Sequence, residues 1–421
     1  MRVIADFHTH SRFAMACSSS ITINGMAETG ARKGINLLST SDFLHREWLS
    51  ELQANLEEIG DSGLFRLKGS KDGVRFMLGG EVCTVFTGRD GRGKKIHNCI
   101  MLPSFDSVLQ LKDELARYGA LESDGRPSLS MSAAELVEKV FNIDKRAFVF
   151  AAHVWTPFFG ALGAMSGFNS IKEAYEDQER HIYALETGLS SDPAMNWRVS
   201  SLDKYALVSN SDMHSLEKLG REANVFELDG DYGYDDVVGA IRDKDASRFK
   251  STIEFYPEEG KYHFDGHREC EFSHDPSLGK KEVCDVCGKK LVIGVLHRVN
   301  DLADRPAGYR PANGIPYINM VPLREIIAYA MRKGSASVGV ESQYRKMLEE
   351  LGDEFDILIN VPLDRIRDSS TEEIAQCIAN VRDNRINILP GYAGVFGEID
   401  LLWRSKKVPN QRAINQKRLF K

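Results

Sequence analysis

Short apolar runs alternate with longer helical patterns through the first 250 residues of the chain. Eight runs have the length and composition of strands, at residues 3–7, 35–40, 76–79, 96–102, 147–152, 183–187, 207–210 and 224–228. Helical patterns lie between several of them, at residues 47–59, 133–141, 171–180 and 234–243. This alternation predicts an α/β domain, and the number of strands favours a barrel over a small open sheet.

The pattern changes after residue 254. Residues 255–299 are polar, rich in His, Cys, Gly and Lys, and hold too little apolar mass for a core of their own. Helical patterns dominate residues 300–403, at residues 323–332, 343–351, 363–367 and 371–382. Residues 404–421 carry seven basic side chains and no acidic one. We therefore expect four parts: a catalytic α/β domain (1–254), a small metal-stabilised segment (255–299), a mainly helical C-terminal domain (300–403) and a basic flexible tail (404–421).

Composition narrows the class of protein. The 421 residues are 42% hydrophobic and 27% charged, with a net charge of −7, which argues against a protein that coats nucleic acid through bulk positive charge. No apolar stretch has the length of a membrane span, and the N-terminus has no secretory signal pattern, so the expected location is the cytoplasm. Seven cysteines, an odd number, disfavour a disulfide framework.

Metal-ligand residue types recur at the ends of the predicted strands. The motif DFHTHS follows the first strand, SDFLH the second and SDMHS the seventh. The candidate residues, in chain order, are His8, His10, Asp42, His45, Glu81, His97, His153, Glu186, Asp212 and His214. The carboxyl ends of barrel strands meet at one mouth, and so many polar groups buried there together would be costly without a cation. The pattern predicts a multi-metal centre for hydrolysis of a phosphoester.

A second group of ligands lies in residues 255–299. His267 and Cys270 have the spacing H-x2-C, and after thirteen intervening residues Cys284 and Cys287 form a C-x2-C-G-K turn. Three Cys and one His predict a closed structural zinc site, with His263 and His274 as competitors for the fourth position. The metal would stabilise a segment that lacks a core.

The strand-end motifs resemble those of the PHP (polymerase and histidinol phosphatase) superfamily. The resemblance implies a distorted barrel of seven β/α units. It implies one ion held by His8, His10, Glu81 and Asp212, and a second held by Glu81, His97 and His153. A third ion would involve His214, but Phe43 stands where that ion's histidine is expected, so Asp42 and His45 are the substitutes to test. The expected cofactors are two or three ions of zinc, manganese or magnesium, beside one structural zinc.

The barrel motifs together with the segment from CDVCGKKL to residue 306 resemble the endonuclease Q family. This resemblance implies a DNA repair nuclease that cuts 5′ to deaminated bases (uracil, hypoxanthine, xanthine) or abasic sites. Candidate contacts with damaged DNA are Trp155, Phe158, Phe159, Trp197, Arg198, Lys289 and Lys290. The alternatives are a PHP phosphatase acting on a small phosphomonoester and a non-catalytic DNA-binding module.

The tail ends in QKRLF, which resembles a bacterial sliding-clamp peptide at Gln416, Leu419 and Phe420 but has Lys417 at the second position. A disordered tail can bind a groove through two apolar anchors, so a clamp is a second candidate partner beside damaged DNA.

Overall fold

The computed structural model describes residues 1–71 and 73–402. Its strands are β1 Arg2–Asp6, β2 Leu37–Ser39, β3 Leu56–Glu58, β4 Phe65–Leu67, β5 Arg75–Thr87, β6 Gly93–Leu102, β7 Ser128–Leu129, β8 Phe148–Ala151, β9 Ile182–Glu186, β10 Ala206–Val208, β11 Ala223–Glu227, β12 Phe249–Glu254, β13 Asp265–His267, β14 Phe272–His274, β15 Tyr317–Asn319, β16 Asn387–Leu389 and β17 Glu398–Asp400. All eight predicted strands are present, seven of them within three residues of their expected bounds, whereas β5 continues eight residues beyond its expected end.

The helices are α1 Ile23–Lys33, α2 Arg46–Asn55, α3 Phe105–Leu115, α4 Ala133–Ile143, α5 Ile171–Tyr175, α6 Pro193–Asn196, α7 Tyr234–Arg242, α8 Val295–Leu302, α9 Leu323–Met331, α10 Val338–Leu351, α11 Glu354–Ile359, α12 Leu363–Ser369 and α13 Glu372–Arg382. Side-chain caps begin several of them: the Ser132 hydroxyl, for example, accepts from the Glu135 N–H while the Glu135 carboxylate accepts from the Ser132 N–H. The sequence did not predict α1, α3, α6, α8 or α11.

A thirteen-stranded sheet organises the molecule, in the order β10-β9-β8-β6-β5-β2-β1-β11-β12-β15 with β3, β4 and β7 as side branches. No ladder within residues 1–71 and 73–402 joins β10 to β15. The predicted α/β barrel class is therefore confirmed, and the barrel has the form of an open half-barrel. Both sheet faces are covered: Val3 and Ala5 of β1 pack in one apolar cluster and Ile4 in the other.

Two features depart from a regular β/α repeat. β5 and β6 form a long antiparallel hairpin, with Glu81 opposite Cys99 and Cys83 opposite His97. Glu81 and His97 therefore project from within strands, whereas the sequence placed Glu81 just after a four-residue strand. β11 also runs antiparallel to β1.

The C-terminal part packs onto the half-barrel. β15 pairs in parallel with β12 and extends the main sheet, and the hydrophobic core of the barrel is continuous with side chains of α9 to α13. The expected boundary at residue 299 falls inside α8. The division into four domains stays a prediction. None of the described helices is long and apolar enough to cross a membrane.

Candidate metal centre and cysteine site

Glu81 lies at the middle of the mouth and faces two groups of histidines. Its Oε2 atom is 3.3 Å from His8 Nε2 and 3.2 Å from His10 Nε2. Its Oε1 atom is 2.6 Å from His97 Nδ1 and 3.3 Å from His153 Nε2. The Glu81 carboxylate thus has one oxygen in each of two potential ligand sets, His8–His10–Glu81 and Glu81–His97–His153. Within each set, the ligand atoms lie within 4.8 Å of one another.

Asp212 and His214 complete this centre. Asp212 Oδ1 is 3.1 Å from His10 Nε2, and His10, Asp212 and His214 form a third potential ligand group. His214 is the most open member, with its side chain 33% exposed, while those of His8, His10 and Glu81 are almost completely buried. The seven residues predicted as catalytic therefore lie together at one mouth.

The donor atoms of this centre fit divalent cations. His8 Nε2, His10 Nε2 and Asp212 Oδ1 are buried, yet they have no hydrogen-bond partner among the described residues. Burying polar atoms that have no hydrogen-bond partner costs folding free energy unless a bound ligand interacts with them. Imidazole and carboxylate ligands around a shared carboxylate suit Zn²⁺, Mn²⁺ or Fe²⁺.

The electrostatics agree with that fit. Burial lowers the pKa of His97 to about 4, although Glu81 acts in the opposite direction, so this imidazole is neutral as a ligand must be. Burial alone would raise the pKa of Asp212, but its 3.1 Å contact with His10 Nε2 and the charges of His8 and His10 hold that pKa well below the ordinary value. A bound cation would neutralise the charge of this carboxylate in place of the protonated imidazoles.

Asp42 and Glu186 lie behind the ligand atoms. Asp42 Oδ1 is 3.1 Å from His10 Nδ1, and its Oδ2 accepts a hydrogen bond of 2.6 Å from the Ser11 N–H. Glu186 Oε2 is 2.9 Å from His8 Nδ1 and accepts from the His153 N–H at 2.7 Å. Each carboxylate thus orients an imidazole whose other nitrogen faces the centre. Asp42, expected as a metal ligand, belongs to none of the ligand groups of the described residues.

Backbone conformation also marks the mouth. Asp42, His153 and Asp212 have positive φ angles of 35°, 28° and 45°. Such angles are uncommon for residues other than glycine and concentrate at functional sites. His45, the other substitute considered for a third ion, stacks on Phe13 with ring centroids 4.2 Å apart and lies outside the ligand groups of the described chain.

The cysteine site forms as its spacing predicted. The ligand atoms of His267, Cys270, Cys284 and Cys287 lie within 4.8 Å of one another. The competing His274 is engaged elsewhere, since its Nε2 is 2.6 Å from the Gly279 carbonyl oxygen. The surrounding core is minimal, with Phe272, Cys284 and Leu291 as its buried members. Three Cys and one His in this arrangement fit a structural zinc.

The candidate DNA-binding aromatics divide into two groups. Phe158 and Phe159 are 38% and 36% exposed, and Phe159 stacks on the ligand candidate His97 with centroids 4.4 Å apart. Trp155 is fully buried, and its indole N–H donates to Asn196 Oδ1 at 2.7 Å. Trp155, predicted to contact DNA, therefore offers no exposed ring in this structure, because the residues after His153 turn inward before they reach the surface.

The remaining DNA-contact candidates also differ in exposure. Trp197, also predicted to contact DNA, is 8% exposed and packs edge-on against Tyr317, so most of its ring is covered by the protein. Arg198 donates to the Asn300 side chain at 2.7 Å. Lys289 and Lys290 are exposed beside the cysteine site, although Lys289 pairs with Glu269. Contact between DNA and these basic residues stays a prediction.

Sequence reasoning missed one residue of the mouth, Arg126. Its Nη1 atom lies 3.3 Å from Glu81 Oε2, in a loop between α3 and β7. The only sequence signal is the turn motif DGRP, which is ordinary for a loop.

Comparison with known proteins identifies relatives over the whole chain. A family profile described as MJ0043 C-terminal domain matches residues 322–385. The uncharacterized protein MJ0043 of Methanocaldococcus jannaschii is 30% identical over 274 residues, which are 62% of this chain and 33% of that protein. The chain thus spans about a third of MJ0043. The uncharacterized protein YqxK of Bacillus subtilis is 24% identical over 418 residues, 94% of this chain and 99% of that one.

Two crystal structures match in fold over the full length. The lesion-specific endonuclease PfuEndoQ from Pyrococcus furiosus superposes with a TM-score of 0.83 and 31% identity, and the match covers 99% of both chains. Endonuclease Q in complex with a 27-mer duplex that carries an abasic lesion at the active site also gives 0.83 and 31%, over 97% of this chain and 100% of that one. The chain therefore belongs to the endonuclease Q family.

Proposed function

We propose that this protein is a metal-dependent DNA repair endonuclease that hydrolyses the phosphodiester 5′ to an abasic site or to a deaminated base such as uracil, hypoxanthine or xanthine. The observation that carries the proposal is the position of Glu81, with one oxygen in each of two ligand groups at a single mouth. A bridged pair of cations is the usual device for cutting a phosphodiester. The endonuclease Q complex with an abasic duplex supports damaged DNA as the substrate.

The ligands are assigned to two ions. His8, His10, Glu81 and Asp212 would hold the first, and Glu81, His97 and His153 would hold the second. Zinc, manganese or magnesium bound there would supply an activated water and neutralise charge on the phosphoryl group. His10, Asp212 and the more open His214 could hold a third ion, and a zinc ion bound by His267, Cys270, Cys284 and Cys287 stabilises the cysteine segment.

The other residues hold this centre in position and contact the nucleic acid. Asp42 and Glu186 fix the rings of His10 and His8, so that neither imidazole rotates when a charged substrate arrives. Phe158 and Phe159 offer exposed rings at the edge of the mouth, where a base taken out of the duplex could stack. Exposed basic side chains of the cysteine segment, such as Lys289 and Lys290, contribute contacts with phosphates.

A cleavage assay tests this function. End-labelled duplexes with one abasic site, uracil or hypoxanthine are incubated with the protein and Mn²⁺, Mg²⁺ or Zn²⁺, and the expected product is a single nick 5′ to the lesion. Glu81→Gln removes the bridging charge and should lower the rate by about a thousandfold or more. Glu138→Gln, an exposed glutamate on α4, is the matched control and should cut normally. Release of phosphate from small esters with the DNA left intact would instead favour the phosphatase.

A sliding clamp is proposed as a second partner through Gln416, Leu419 and Phe420. These residues lie outside the described part of the chain, so the proposal rests on the sequence QKRLF alone. Binding of purified clamp to the full chain but not to a chain ending at residue 415 would support it.

A further inference from the structure

Arg126 is a cation that forms an ion pair with the proposed metal ligand Glu81. Its guanidinium Nη1 lies 3.3 Å from Glu81 Oε2, and its side chain is 22% exposed, so it borders both the ligands and the open mouth. Within residues 1–71 and 73–402, no other Lys or Arg forms an ion pair with Glu81 or Asp212. Arg221, which lies nearby, donates to the backbone carbonyls of Ser211 and Asp212 instead.

The backbone around Arg126 is held on two sides. The Gly125 N–H donates to the Phe13 carbonyl at 3.0 Å, and the Cys83 N–H donates to the Pro127 carbonyl at 2.9 Å. Asp124 Oδ1 accepts from the N–H of Arg126 at 3.1 Å. These bonds join the loop to the segment after β1 and to β5, the strand that carries Glu81. The guanidinium is therefore positioned by its backbone and not only by its ion pair.

Glycine at position 125 permits this close approach. A Cβ there would lie 2.4 Å from Asp42 Oδ2 and 2.8 Å from the Ala14 nitrogen. The loop therefore packs directly against the carboxylate that orients His10. Such a tight fit leaves little freedom for the Arg126 backbone to move away from the mouth.

The partner of Arg126 is also a proposed ligand. Glu81 Oε2 lies within 3.3 Å of both His8 Nε2 and His10 Nε2, the atoms assigned to the first ion. An ion bound to that oxygen neutralises much of the charge that attracts the guanidinium. The partly exposed guanidinium is then available to an anion entering the mouth, and its planar fork of N–H donors matches phosphate geometry.

We propose that Arg126 is a catalytic residue that binds the nonbridging oxygens of the scissile phosphodiester and stabilises the negative charge that grows on them. This inference rests on the proposed function. In the reaction, a water oxygen bonds to phosphorus, the bond from phosphorus to O3′ breaks, and O3′ takes up a proton to leave a 3′-hydroxyl and a 5′-phosphate. Arg126 keeps all its protons throughout, because a guanidinium does not deprotonate in proteins.

The competing explanation is that Arg126 is only a counter-ion of Glu81. A counter-ion would oppose metal binding, so its removal should tighten metal binding and leave the rate of cutting almost unchanged. A phosphate-binding arginine predicts unchanged metal content, slower cutting and weaker phosphate binding. Metal content and phosphate affinity therefore separate the two roles.

The experiment compares Arg126→Met and Arg126→Lys with Arg117→Met, an exposed arginine earlier in the same loop. Metal content is measured by elemental analysis, binding of inorganic phosphate to the metal-loaded protein by calorimetry, and cutting of an abasic duplex under single-turnover conditions. We expect Arg126→Met to cut about 10²- to 10³-fold more slowly and to bind phosphate about tenfold more weakly, with unchanged metal content. Arg126→Lys should lie in between, and added guanidinium should partly restore Arg126→Met.

Cutting within threefold of the wild-type rate, or tighter metal binding with unchanged phosphate affinity, would overturn the proposal. If Arg126→Met does not fold, Arg126→Lys carries the same comparison, because it keeps the charge but loses the planar fork. If the wild-type protein fails to cut damaged DNA, the proposed function fails, and the calorimetry still decides whether Arg126 binds phosphate.

Discussion

Glu259 has a carboxyl group that the fold keeps protonated near neutral pH. It follows β12 at the junction of the half-barrel and the cysteine segment, is 7% exposed, and its Oε1 has no hydrogen-bond partner among the described residues. Burial raises its pKa from 4.5 to about 8, with the charges of Glu325 and Glu258 adding to the rise and Lys218 opposing it. The buried carboxyl therefore costs stability whenever it must ionise.

The sign and size of the effect follow from linkage. Because the folded pKa is raised, the folded state holds the proton more tightly, and stability is lost as the pH rises from about 4.5 through about 8. A tenfold change in an ionisation constant is worth about 1.4 kcal/mol, so the loss has a ceiling of about 5 kcal/mol. Water and protein dipoles that relax around the charge reduce this, and we expect about 1–3 kcal/mol.

Glu259→Gln keeps the shape and removes the ionisation. The variant should gain stability over the wild type as the pH rises from 5 to 8.5, measured as the difference in urea unfolding free energy by tryptophan fluorescence. Glu349→Gln, at an exposed position on α10, is the control and should show no such trend. A constant difference between Glu259→Gln and wild type across this pH range would refute the assignment of a raised pKa to Glu259.

Four further substitutions test the site. Cys284→Ser should abolish zinc binding at the cysteine site and expose residues 265–292 to protease, whereas a protected segment without zinc would show that the metal is not structural. Asp42→Asn should weaken metal binding in calorimetry by about 10- to 100-fold, since Asp42 orients His10; complete loss of one ion would make Asp42 a ligand. Trp155→Phe should lower the unfolding free energy by about 1–3 kcal/mol, because it removes a buried hydrogen bond, and leave the affinity for abasic duplex unchanged. Phe159→Ala should leave the unfolding free energy almost unchanged and weaken the affinity for abasic duplex. Equal effects of both variants on DNA affinity would contradict the division between buried and exposed rings.

Local pattern was sufficient for much of the fold. Each predicted strand forms because a short apolar run that is buried on both faces fits a sheet covered on both sides. The zinc-type spacing of Cys284 and Cys287 spans only four residues, so it can be recognised in the sequence. The amphipathic period also identified α4, α7, α9 and α13. It could not show that β5 continues past Glu81 to Thr87 and folds back as β6, because strand length and direction depend on which partner the strand finds.

The sequence by itself determined which chemistry the mouth can hold, since His8, His10, Glu81, His97, His153, Asp212 and His214 bring imidazole and carboxylate to strand ends or strand interiors. Only the tertiary structure decided the partners. Glu186 contacts His8 across 178 positions of sequence, and Arg126 contacts Glu81 across 45. The spacing of apolar and polar residues along the chain does not indicate such long-range contacts. Burial likewise separated Trp155 from Phe159, four residues apart, because exposure depends on what the rest of the chain packs against each ring.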